Sequence, residues 1–268
     1  MTYLLKEIWI YPIKSLGGIQ LETCNTITEG LEHDRRWMLV DEQGIFMSQR
    51  TCPEMALFSC RLTDRELIIN YKGDSVEIPL SEQSDKLTDV QVWESNFKAH
   101  EVSDSISQWF SDRLSQKVTL VRMTEDSNRT KALKEPPYET NLSMADGYPY
   151  LLLGTASMKQ LNEKLTTKIS ANRFRANLII ETDVPHVEDT WKNVSIGNTS
   201  LQIIKPCARC QVITIDQETG KQGKEPTKTL ASYRKESNKI LFGVNAICTQ
   251  EGRVAVGDEV NLINNIDS

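Results

Sequence analysis

Short apolar runs rich in Val, Ile, Leu, Tyr and Trp recur from the start of the chain, over residues 5–10, 19–27, 37–40, 67–71, 76–80 and 90–93. Turn signals separate them: Gly17-Gly18, Asp41-Glu42-Gln43-Gly44 and Lys72-Gly73-Asp74. That rhythm predicts antiparallel β-structure, a sandwich or a barrel. Residues 104–114 break it, because Ile106, Trp109, Phe110 and Leu114 fall at helical spacing behind Ser and Asp capping candidates. This helix is expected to pack one face on the sheet. The stretch 124–138 is polar, contains Asp126-Ser127-Asn128 and ends in Pro136-Pro137, and reads as a linker or long surface loop. A domain boundary at its start divides the chain into 1–122 and 123–268.

Past that boundary the pattern predicts strands over 150–153, 177–181, 201–205, 211–215 and 259–263. A helix over 156–165 places Met158, Leu161 and Leu165 on one face. A short helix opens at Pro226, the first-turn position proline favours, and runs to Arg234. The expected class is mainly β with a few helices (α+β).

Composition narrows the function classes. A length of 268 residues suits one large domain or two moderate ones, and 25% charged with 39% hydrophobic residues is ordinary for a soluble globular protein. An excess of 37 acidic over 31 basic residues, a net charge of -6, argues against general nucleic-acid binding. Any anion site must therefore be a local cluster. The N-terminus lacks a signal-peptide core, and no apolar run approaches the ~18 residues of a membrane span. Six unevenly spaced cysteines point to reduced thiols rather than a disulfide framework. The reading is a cytoplasmic protein without a membrane segment.

The candidate chemistry centres on Lys205-Pro206-Cys207-Ala208-Arg209-Cys210, where positive charge flanks both sulfurs and favours the thiolate. Four readings are open. Structural zinc needs further ligands, yet His33, His100 and His186 are scattered and Cys24, Cys52, Cys60 and Cys248 are single. A thioredoxin-type pair would begin a helix, whereas Val212-Ile213-Thr214-Ile215 is β-branched. The remaining two are an inert buried pair and a soft metal held by one thiolate, with a cofactor completing its shell. Cationic residues also gather at turns: Lys14, Arg35, Arg36, Arg50, Arg173 and Arg175. Singly each is a surface charge; together they would make an anion pocket.

Five blocks carry a resemblance. They are Tyr11-Pro12-Ile13-Lys14-Ser15, Asp34-Arg35-Arg36-Trp37, Ala145-Asp146-Gly147-Tyr148-Pro149, Asn172-Arg173-Phe174-Arg175-Ala176-Asn177 and Pro206-Cys207-Ala208-Arg209-Cys210. In this order, and with Asp216-Gln217-Glu218-Thr219-Gly220 behind them, they resemble the MOSC-domain molybdenum enzymes, among them reductases of N-hydroxylated compounds and amidoxime-reducing components. The resemblance implies an N-terminal β-rich MOSC N-terminal domain, a β-barrel MOSC domain and a molybdenum cofactor (molybdopterin) with Cys210 as metal ligand. It assigns cofactor binding to Lys14, Ser15, Arg35, Ala145, Asp146, Gly147, Tyr148, Arg175, Asn177 and Arg209. The implied reaction reduces hydroxylamines, amidoximes or N-oxides to amines, with electrons from a separate flavoprotein or ferredoxin-like donor. The alternative it leaves is a non-catalytic cofactor or sulfur carrier with a persulfide on Cys210. Longer bacterial relatives carry a ferredoxin domain with a C-x4-C-x2-C signature; here only Cys248 follows Cys210, so no iron–sulfur cluster is expected. Asp34 and Asp216 are candidate acids that also suit local turn bonding. Trp37 and Tyr148 are candidates for the cavity wall or for the core.

Overall fold

The computed structural model describes residues 3–124 and 127–263, so Asp126 of the polar stretch lies outside the described residues. The protein is mostly β. Seven strands close a barrel in the order Tyr150–Gly154, Leu178–Glu181, Tyr3–Ile10, Glu259–Leu262, Asn193–Ile196, Thr199–Ala208 and Lys239–Gln250, which returns to Tyr150–Gly154. The first strand of the chain is thus paired on both edges with late strands, Leu4 opposite both Glu181 and Glu259. Its inward set changes parity: Tyr3 and Leu5 point in, then Ile8 and Ile10. A bulge between Leu5 and Glu7 supplies the extra residue that resets the period-2 alternation. Tyr150, Leu152, Leu178, Ile180, Val194, Leu201 and Val244 fill the interior with them.

The barrel's one parallel pair among the described strands, Tyr150–Gly154 beside Leu178–Glu181, is bridged by the helix Thr155–Lys164. That helix buries Met158 and Leu161 against Phe174, Ile179 and Phe242 outside the barrel. At Gly243 the backbone takes φ +72°, and a Cβ there would stand 2.7 Å from the Leu152 carbonyl oxygen, so only glycine lets the two strands cross so closely.

A second body of β-structure comes from the first half of the chain. Strands Trp37–Val40, Thr119–Arg122, Ser95–Glu101 and Leu87–Val92 form one sheet in that order; Ser59–Leu62, Glu66–Tyr71 and Asp74–Pro79 form a meander. The helix Asp104–Leu114 packs Ile106, Phe110 and Leu114 against them, as its period predicted, and Trp37, Leu39, Phe58 and Leu67 share that core.

Three expectations are corrected. The β-branched run 211–215 is not a strand: Gln211–Thr214 is a 3₁₀ turn, with Ile213, Thr214 and Ile215 buried. Burial of the apolar side chains, not ladder pairing, explains the composition there. Residues 19–27 form two strands, Ile19–Leu21 paired to the barrel's first strand and Thr23–Ile27 paired to Gly252–Ala255. The helix expected from Pro226 spans only Thr227–Ala231. Thr130–Ala132, inside the polar stretch, pairs with Glu139–Asn141 just past it as a small hairpin.

Candidate functional site

A cavity of about 420 Å³ opens where the barrel meets the first-half sheets. Lys14, Ser15, Arg35, Ala145, Asp146, Gly147, Tyr148, Arg175, Asn177, Arg209 and Cys210 all line it, so residues scattered over nearly two hundred positions converge on one wall. Their placement follows from the fold. The strand Tyr3–Ile10 delivers Lys14 and Ser15 at its end, Thr199–Ala208 delivers Arg209 and Cys210, and the loop ahead of Tyr150–Gly154 carries 145–148.

Cys210 sits where the strand gives way to the 3₁₀ turn, and its side chain is exposed. Arg50 Nη2 lies 3.5 Å from its Sγ and donates to Asp146 Oδ2 at 3.0 Å, so one guanidinium ties the thiol to the carboxylate. Cys207 is held apart, accepting from Arg209 Nη1 at 3.1 Å. Both sulfurs therefore face a cation, and among the described residues no group of three His, Cys, Asp or Glu surrounds them as a protein-only metal site would need.

Asp146 is a charge hub. It accepts from the buried Lys14, from Arg50 and, at 3.3 Å, from Trp93 Nε1. Burial works to raise its pKa, but Lys14 and Arg50 outweigh it and hold the carboxyl far below its ordinary range. Burial in turn pushes Lys14 down to about 8, with Asp146 opposing the fall. Lys14 Nζ also donates to the Met144 carbonyl at 2.8 Å. The loop is braced from behind by Arg129, which is buried and whose Nη1 donates to the carbonyls of Ser143 and Ala145 at 2.6 and 2.5 Å.

On the far side, Arg35 and Arg175 both pack on the Tyr11 ring, 4.5 and 4.2 Å from its centroid. Arg35 bonds the fully buried Asp34, Asn177 Oδ1 at 3.2 Å and the Arg175 carbonyl at 3.0 Å. Arg175 donates to the Leu16 carbonyl at 2.7 Å, and burial together with Arg35 lowers its pKa to about 10. Its Nη2 is buried without a hydrogen-bond partner, and so is Arg209 Nε. Buried N–H groups without a partner are costly, and these two belong to residues that line the cavity. Backbone strain marks the same place: Ser15, Arg35, Trp93 and Arg175 have φ of 70°, 51°, 56° and 55°. Non-glycine residues in that region persist where the surroundings force them, characteristically at binding sites.

Other expectations resolve differently. Asp34 is a buried partner of Arg35, and Asp216 pairs with Arg173 at 2.8 Å while capping its own turn, so neither lines the cavity. Arg36 and Arg173 likewise stay off this wall, whereas Arg50 joins it. Trp37 is core; Tyr148 is wall. Sequence reasoning missed Trp93 and Lys131. Trp93 carries a signal in retrospect, being a bulky indole in the two-residue turn between Leu87–Val92 and Ser95–Glu101, where Asn or Gly is usual. Lys131 lies in the polar stretch with nothing to single it out.

Comparison with known proteins agrees with this architecture. Residues 2–117 match the MOSC N-terminal beta barrel domain and residues 139–261 the MOSC domain. The mitochondrial amidoxime reducing component 2 of Bos taurus is 32% identical, the match covering 96% of this chain and 82% of that protein. Molybdenum cofactor sulfurases from Oryza sativa subsp. japonica and Homo sapiens are 32% and 29% identical over 90% of this chain. Against those two the chain spans about a third of their length, 32% and 30%. No described helix is long and apolar enough to cross a membrane. With both domain types in order and a curated relative matched over most of its length, the chain belongs to the MOSC family.

Proposed function

We propose that this protein is a molybdenum cofactor-dependent oxidoreductase that reduces N-hydroxylated compounds to amines. The observation that carries the reading is an exposed thiol, Cys210, on the wall of a cavity where two buried guanidinium N–H groups, Arg175 Nη2 and Arg209 Nε, lack acceptors. A thiolate suits a thiophilic metal, and guanidinium N–H groups without a protein partner suit a phosphate. The residues present therefore fit the cofactor: Cys210 would hold the metal, while Lys14, Ser15, Arg35, Arg175, Asn177, Arg209 and the Ala145–Tyr148 backbone would hold the organic part. When bound, the cofactor supplies the two-electron chemistry that removes oxygen from nitrogen.

The chain's own part is positional. Arg50 orients Cys210 from one side while Asp146 fixes Arg50, and Arg209 keeps Cys207 occupied so that a single sulfur is presented. Asn177 locks Arg35 in place through its Oδ1 and anchors itself on the Trp9 carbonyl at 3.1 Å. Electrons would come from a separate flavoprotein or ferredoxin-like donor. The amidoxime reducing component among the relatives supports the activity, and the sulfurases support the cofactor.

The test is molybdenum per chain in protein purified from a cofactor-producing host, with Cys210→Ala beside it. Metal in the wild type that falls at least tenfold in the variant is the expected result. Wild-type protein that stays empty while Cys210 carries a persulfide would replace this reading with a sulfur carrier.

A further inference from the structure

The cations of the cavity are not equally occupied. Lys14 and Arg50 share Asp146, and Arg35 has Asp34. Arg175 and Arg209 are the two with unpaired buried N–H groups that the proposed function gives to the cofactor's phosphate. Lys131 and Lys205 remain. They arrive from separate elements, the hairpin strand Thr130–Ala132 and the barrel strand Thr199–Ala208, and both ammoniums pack on one ring, 5.1 and 5.2 Å from the Tyr148 centroid. Among the described residues neither has a carboxylate within ion-pair distance; Glu94 is the acidic neighbour whose field reaches Lys131. Burial, then Lys205 and Arg129, depress the Lys131 pKa, so the pair repel one another. Two like charges on a common aromatic platform beside a cavity are relieved by an anion between them.

We propose that Lys131, Lys205 and Tyr148 form an anion-binding subsite on the cavity wall, and that the substrate carries a carboxylate or phosphate apart from its N–O group. The inference rests on the reductase reading for the identity of the reacting group. The same anion chemistry has a second source, a phosphate belonging to the cofactor itself.

The test compares two probes on cofactor-loaded protein: benzamidoxime with a para carboxylate, and its neutral para carboxamide isostere. Binding is read by equilibrium dialysis at low salt, and turnover of the carboxamide is read separately. The wild type is expected to bind the carboxylate about tenfold tighter, the order given by one charge-assisted contact. Lys131→Met with Lys205→Met should erase that preference, keep wild-type molybdenum content and leave the carboxamide's dissociation constant within twofold. Lys131→Arg with Lys205→Arg should restore the preference. Equal affinities in the wild type, or a preference that survives the Met pair, overturn the proposal. Molybdenum lost from the Met pair reassigns the lysines to the cofactor's phosphate and also overturns it. Absent turnover of the carboxamide would count against the reductase reading alone, since the binding comparison still decides the subsite.

Discussion

Asp34→Asn isolates the ion pair beneath the cavity. The Asp34 carboxylate is fully buried, accepts the Tyr11 backbone N–H at 2.7 Å and pairs with Arg35 Nη1 at 2.5 Å, and the Arg35 side chain is only 12% exposed. Asparagine can still accept from Tyr11, but Arg35 is left with neutral partners, Asn177 Oδ1 and the Arg175 carbonyl. Removing one member of a buried pair strands the other charge and costs about 3–5 kcal/mol. At roughly 2–4 °C per kcal/mol for a chain of this size, Tm should fall by about 6–20 °C. The control is Asp89→Asn, which breaks the Lys98–Asp89 pair at 2.9 Å, with side chains 57% and 85% exposed. Such surface pairs contribute at most about 1 kcal/mol, so that variant should melt within about 4 °C of wild type. Thermal unfolding followed by circular dichroism and by tryptophan fluorescence compares the three proteins. Asp34→Asn melting no lower than Asp89→Asn would refute the assignment of Asp34 as the electrostatic foundation of this wall.

Two further outcomes concern stability elsewhere. Burial, with Arg234 adding to it, pushes His186 from 6.5 down to about 4, so the folded protein keeps the ring neutral where the unfolded chain protonates it. The stabilisation is complete above pH 6.5 and is lost as pH falls toward 4, by at most roughly 3 kcal/mol. His186→Asn should flatten that limb of the urea midpoint against pH, and a proton NMR titration of His186 centred near its ordinary value would contradict it. Gly243→Ala forces a Cβ into contact with the Leu152 carbonyl at positive φ and should destabilise by about 1–3 kcal/mol, read as a lower urea midpoint; an unchanged midpoint would mean that the two strands separate freely.

What the sequence reveals depends on whether the signal is local. The helix Asp104–Leu114 is legible because Ile106, Phe110 and Leu114 repeat with its period. The barrel is legible only as short strands with turns, since nothing in residues 3–10 announces partners at 178–181 and 259–262. The run 211–215 misleads because β-branched residues serve burial in a 3₁₀ turn as well as pairing in a strand. The site's motif residues were readable as blocks, whereas their supports were not. Lys131 and Trp93 reach the cavity, and Arg129 braces its loop from behind, through folding of a polar stretch and a hairpin turn that carry little mark of chemistry. Likewise Asp34 and Asp216 look alike as turn aspartates, and only burial separates a foundation from a surface cap.

The pairing of the Tyr3–Ile10 strand with Leu178–Glu181 and Glu259–Leu262 sets an order of events during synthesis. Tyr3 and Leu4 have to wait for Val260 and Glu259 before that edge of the strand is covered, whereas Ile19–Leu21 covers Ile8–Ile10 locally, so barrel closure joins contacts far apart in sequence. Such non-local closure is the slow kind, because the entropy of ordering everything between is lost before the contact forms. The first-half sheets, whose pairings lie within residues 37–122, can condense while that strand is still exposed. Lys14 and Ser15 stand just beyond its end, and Cys210 just beyond the Thr199–Ala208 strand. The cavity therefore forms only when the long-range pairings that bring Lys14, Ser15 and Cys210 to one wall are in place.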